Sequence, residues 1–142
     1  MKAPEEIRRE LTRRWLYKVK DDLETSRVLI RMGERFAANA AFHANQAAEK
    51  YIKTLLVWHQ IEPPKSHNLV LLVSLLERID PRLPKRLQAL IPINPYSVTT
   101  RYPGSEPEPE PTIAQARDAL EIAESTREAI REALPEEVVS TG

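Results

Sequence analysis

Residues 41–60 read AFHANQAAEKYIKTLLVWHQ, a stretch without glycine or proline and rich in alanine. Phe36, Ala40, Ala44, Ala47, Tyr51, Leu55 and Trp58 recur at the helical period and form one apolar stripe. Alanines at 37, 38, 41 and 48 widen that stripe. Small side chains let neighbouring helices approach closely, so a helix over residues 34–58 is expected at the centre of a bundle. The same helix carries a polar set. At 100° per residue, His43, Gln46, Lys50 and Lys53 fall within an arc of about 80° that borders the apolar stripe. Glu49 flanks the far side of that arc, in position to pair with Lys53 at i,i+4.

Two readings of the polar arc stand side by side. In one it is the wet face of a helix, with lysines lying along the surface and a histidine that packs and makes a single hydrogen bond. In the other it is a shallow groove facing phosphate, with Lys50 and Lys53 supplying charge and His43 and Gln46 supplying donors.

Outward from this helix the rest of the chain also reads as helical. A first helix is expected from residue 4 or 5 to Met32, with Pro4 in its first turn and Glu5 and Glu6 at the positive end of its dipole. Gly33 stops it. Pro63 and Pro64 end the second helix, and Ser66 or Asn68 is placed to cap a third that carries LVLLVSLLERI up to residue 79. Pro81 breaks that run, and a short fourth helix is expected at 84–90. The stretch IPINPYSVTTRYPGSEPEPEP at 91–111 has no helical period. Its first half is expected to lie ordered against the body, and its second half, at 104–111, to be an acidic proline-rich spacer. From Thr112, a good N-cap, a last helix is expected to run to residue 134. The fold class is therefore all-α, an up-and-down bundle of four to five helices. One domain over 1–134 contains the spacer, and the tail at 135–142 is expected to be frayed.

Composition bounds the function. The 142 residues suffice for one core, and the absence of cysteine rules out disulfides and thiolate metal sites. His43, His59 and His67 show no i,i+4 pairing, and neither H-E-x-x-H nor E-x-x-H occurs, so no metal site is expected. With glycine only at 33, 104 and 142 there is no glycine-rich phosphate loop, and no cofactor is expected. No apolar run approaches the ~20 residues of a membrane span, and the N-terminus lacks a signal-peptide pattern, so a cytoplasmic protein is expected. Net charge is zero but uneven. Residues 1–103 hold 18 Lys/Arg against 11 Asp/Glu, whereas residues 104–142 hold 3 against 10. The basic part suits nucleic acid or phosphate, or is neutralised by the acidic segment folding back on it.

Three motifs in order carry a family resemblance: FHANQAAEKYIKTLL at 42–56, KSHNL at 65–69 and TRYP at 100–103. Together they resemble the HEPN domain family over residues 15–134, with Gly104 standing where an acidic residue is common. The resemblance implies a helical bundle that dimerises. It further implies a small nucleotidyltransferase as partner, in a toxin–antitoxin-like or substrate-binding pair. Nucleotide binding gave the family its name, and some branches are metal-independent ribonucleases. The recurrent polar set falls here on His43, Gln46, Glu49, Lys50, Lys53, His67 and Arg101–Tyr102–Pro103.

The ribonuclease branch uses Arg followed after four to six residues by His. Arg35 precedes His43 with seven residues between, no Arg precedes His67 in the window, and His59 is preceded only by Lys53. That motif is absent. Other roles are open for the loop residues: His67 as an anchor bonding back to a loop carbonyl, Tyr102 as a ring covering the bundle, Arg101 as a partner of Glu49 or of a phosphate.

The expected function is thus a partner protein that binds nucleotide or RNA phosphate through His43, Gln46, Lys50, Lys53, His67, Arg101 and Tyr102, without a membrane. The alternatives are a ribonuclease toxin with a diverged site and an interaction module without ligand. A homodimer is expected, with the third helix and the alanine-rich second helix as candidate surfaces.

Overall fold

A computed structural model describes residues 3–97 and 110–140, and among them every regular element is helical. Helix α1 spans Pro4–Met32, α2 Ala37–Trp58, α3 Leu69–Leu75, α4 Arg82–Arg86, α5 Ile113–Ala133 and α6 Glu136–Val139. The all-α bundle read from the periodicity is the fold observed.

Helix α1 ends where Gly33 takes φ 101°, a left-handed value that favours glycine, and donates its N–H to the Ile30 carbonyl at 3.2 Å. One turn of 3-10 helix at Glu34–Phe36 then leads into α2. Helix α2 is the hub: α1 and α5 pack along it, and α3 and the 3-10 segment Gln88–Ser97 close it from another side. Ala37, Ala40, Ala41, Ala44, Ala47 and Ala48 are all buried within this one chain. The alanine-rich helix is consequently no free dimer surface, because its small side chains are already used by α1 and α5. Contact there is close enough for the Ser26 hydroxyl of α1 to donate to the Ala40 carbonyl of α2 at 2.8 Å.

The capping residues act as their types dictate. The Asn68 side chain accepts from the N–H groups of Val70 and Leu71, so Asn68 rather than Ser66 starts α3. Thr112 and Gln115 form a reciprocal capping box at the start of α5. Arg8 closes the other end of α2: its Nε donates to the Trp58 carbonyl and its guanidinium lies 3.8 Å from the centre of the Trp58 ring.

Two expectations need correction, and a third is not tested. The fourth helix ends at Arg86, and the stretch after it, which lacks a 3.6-residue period, is 3-10 helix over Gln88–Ser97. Buried Asn45 of α2 pins that segment by donating to the Ile93 carbonyl at 2.7 Å. The tail is not frayed over its described part. Residues Glu136–Val139 form a helical turn with Val138 fully buried, held by Arg13, which donates to the Glu137 carbonyl at 2.9 Å. The expected spacer lies outside the described residues except for positions 110 and 111.

Candidate functional site

The polar residues of α2 do not form one stripe on the surface. They sort onto two carboxylates. The first is Asp22 on α1, which faces α2 because it lies one turn from Val19 and Ser26, both buried. Its Oδ1 meets His43 Nδ1 at 3.0 Å, and its Oδ2 accepts from Lys50 Nζ. His43 and Lys50 stand two turns apart on α2, so the two long side chains converge on one acid across the helix–helix seam. Burial alone raises the Asp22 carboxyl. Hydrogen bonds from His43 and Lys50, with their charge, outweigh that and hold it below the ordinary carboxylate range. Gln46 lies between His43 and Lys50, half-buried, and its side chain makes no hydrogen bond among the described residues.

The second carboxylate is Glu49, whose side chain is 3% exposed. Its Oε2 accepts from Lys53 Nζ at 3.3 Å, the i,i+4 pair expected, and its Oε1 meets His67 Nδ1 at 2.8 Å. His67 is the exposed member, with 62% of its side chain open to solvent. Here the wet-face reading fails. Both Glu49 and Lys53 are buried, because α2 is covered on this side too. His67 anchors its loop as expected but through a carboxylate rather than a carbonyl. Arg101 and Tyr102 lie outside the described residues.

A recess of about 360 Å³ opens beside the first cluster, between α1 and α2. Arg14 and Lys18 from α1 and Lys50 from α2 bring three cations to it, and Trp15 and Leu11 give it an apolar wall. Among the described residues no carboxylate lies within ion-pair distance of Arg14 or Lys18. None of Asp22, Arg14, Lys18 and Trp15 is among the candidate residues read from the sequence. The missed signal for Asp22 was its register: it falls on the buried side of α1, where an acid needs partners. Among the described residues no group of three or more His, Cys, Asp or Glu side chains is arranged to hold a metal ion.

Comparison with known proteins agrees with this architecture. The HEPN domain model matches residues 12–133, and the chain belongs to the HEPN domain family. Its fold is also that of a solved protein described as TT1696 from Thermus thermophilus, with a TM-score of 0.74 and 28% identity. That likeness covers 87% of this chain and 98% of the other. None of the curated proteins matches the chain. Among the described residues no helix is long and apolar enough to cross a membrane.

Proposed function

We propose that this HEPN bundle binds the phosphate of a nucleotide or RNA in the recess between α1 and α2, and does so as the partner of a nucleotidyltransferase in a toxin–antitoxin-like pair. The observation that carries the reading is the recess itself, where Arg14, Lys18 and Lys50 surround a wall containing Trp15. A guanidinium and two ammonium groups suit phosphate oxygens, and an indole offers a face to a base. Gln46, one turn from Lys50 on α2 and without a hydrogen bond among the described residues, is a further donor and acceptor for a base edge. Lys53 is committed to Glu49 and acts through the scaffold. The nucleotidyltransferase partner rests on the family alone, and a cytoplasmic location on the sequence expectation. A homodimer is supported by Val70 and Leu71 of α3, which are exposed, and loss of dimer on Leu71→Glu in light scattering tests it.

The binding test is titration of nucleoside monophosphates and a short single-stranded RNA into the protein, followed by Trp fluorescence and calorimetry. The double substitution Arg14→Gln/Lys18→Gln is expected to weaken binding roughly ten-fold or more without lowering thermal stability. Unchanged affinity for every ligand overturns the proposal.

One observation favours a second reading, a metal-independent ribonuclease. His67 has one ring nitrogen held by a buried carboxylate while the ring stays largely exposed, an arrangement suited to proton transfer. Cleavage of RNA in chelator that is lost on His67→Ala establishes it, and absence of cleavage by the unaltered protein removes it.

A further inference from the structure

We infer that a second anion site lies on the opposite flank of α1, where Lys20, Arg127 and Arg131 gather around Tyr51, and that it takes a phosphomonoester of sugar-phosphate size. The recess there measures about 440 Å³ and is walled by α1 and α5. It is distinct from the recess beside Lys50, with which it shares no residue. Tyr51 projects from α2 and is only 2% exposed, so its ring forms the floor.

The cations of this recess are only partly partnered within the fold. Arg127 and Arg131 stand at i,i+4 on α5, a spacing at which like charges repel. The natural relief for Arg127 is Glu124, three residues earlier. Glu124 instead reaches across to Arg27 of α1 at 3.0 Å, and Arg27 also meets Glu24 at 3.4 Å. Arg27 is therefore neutralised. Among the described residues no carboxylate lies within ion-pair distance of Lys20, Arg127 or Arg131. Arg131 has a local reason to stand where it does, since it occupies the last turn of α5 and complements the helix dipole. Arg127, a turn earlier, hydrogen-bonds the Tyr51 side chain but no carboxylate among the described residues. Both arginines are half-buried, which makes an uncompensated pair costlier than on an open surface.

The chemistry of the lining narrows the ligand. Two planar guanidinium forks and an ammonium match the oxygens of a phosphate dianion. Burial pushes the Tyr51 phenol up, and the nearby arginines only partly offset this, so at neutral pH the hydroxyl is protonated and can donate. Asp21 and Glu24 line the same recess. They repel a polyphosphate but accept hydrogen bonds from sugar hydroxyls. Leu16 and Leu23 leave an apolar patch against which a sugar ring can lie.

Calorimetric titration of ribose 5-phosphate into the full chain tests this, with inorganic phosphate and ribose as comparison ligands. Saturable binding of ribose 5-phosphate is expected, weaker binding of inorganic phosphate and none of ribose. Arg127→Gln/Arg131→Gln is expected to lower affinity roughly ten-fold or more, and Arg127→Lys, which keeps the charge but loses the fork, to lower it less. In the unaltered chain the ligand is expected to shift the amide resonances of residues 127 and 131 and not that of residue 50, a readout independent of how the variants fold. Lys65→Gln/Lys85→Gln removes the same charge from elsewhere on the surface and is expected to leave binding unchanged. Four results overturn the site: no saturable binding, equal affinity in the double arginine variant, an equal loss in the control variant, or equal affinity for bare phosphate. None of these outcomes bears on the recess beside Lys50.

Discussion

Asp22 and Glu49 are built from the same parts, a carboxylate held by one histidine and one lysine, yet they sit in the molecule differently. Asp22 draws both partners from the neighbouring helix and so ties α1 to α2. Its Lys50 side chain remains 31% exposed at the mouth of a recess. Glu49 draws its lysine from its own helix and its histidine from the loop between Trp58 and α3, and both the acid and the lysine are buried. The contrast separates two uses of one device. Around Glu49 the charges are sealed in and hold architecture. Around Asp22 the acid is fixed while the lysine stays partly open to solvent.

The largest effect is expected at Glu49. Glu49→Ala leaves Lys53 buried without its counter-charge, a loss on the order of 3 kcal/mol, read as a shift in the urea midpoint. Asp22→Ala is expected to cost less, about 2 kcal/mol, because Lys50 and His43 can turn toward water. A larger loss at Asp22 than at Glu49 breaks the comparison, since burial of the lysine would then not be what sets the cost.

Acid sharpens it further. The folded-state carboxyl of Asp22 lies below its ordinary value. The unfolded chain therefore binds that proton first as pH falls. The stabilisation from Asp22 is fully present above its unfolded value of about 3.9 and is lost as pH drops through the lower folded value. The stability gap between the wild type and Asp22→Asn is expected to shrink as pH falls below about 4. A gap that does not change on acidification removes the ion pair as its source.

The bundle was legible because helical periodicity reports burial directly. The alanines of α2, the break at Gly33, the proline pair at 63 and 64 and the cap at Thr112 each act through their own backbone chemistry, so each could be read locally. The site was legible only in part. His43, Lys50, Glu49, Lys53 and His67 stand out within two short motifs, but the motifs do not say which acid each base meets. Asp22 is contributed by another helix, and only its register on the buried side of α1 hints that it needs partners. The helical-wheel argument failed for Glu49 and Lys53 because it assumes one buried face, whereas α2 is enclosed nearly all round. It failed for Gln88–Ser97 because a 3-10 helix has three residues per turn and leaves no 3.6-residue signature.

The smallest effect is expected at His67, and there the two uses of the device can be told apart in a single residue. His67 reaches Glu49 from an exposed loop position, and Lys53 still neutralises the acid when the imidazole is gone. His67→Ala is expected to cost only about 1 kcal/mol, while hydrogen exchange of the loop at 59–68 quickens because the loop has lost its tie to α2. His67→Gln keeps a side-chain donor of similar reach and is expected to restore most of that protection. If the residue serves only as an anchor, the glutamine variant matches the wild type in every measured property. If the imidazole also moves protons on RNA, the glutamine variant holds the loop but loses the cleavage, because an amide does not act as a general acid or base near neutral pH. The split between loop protection and cleavage in that one variant therefore decides whether the Glu49 cluster presents a working group to solvent or is architecture throughout.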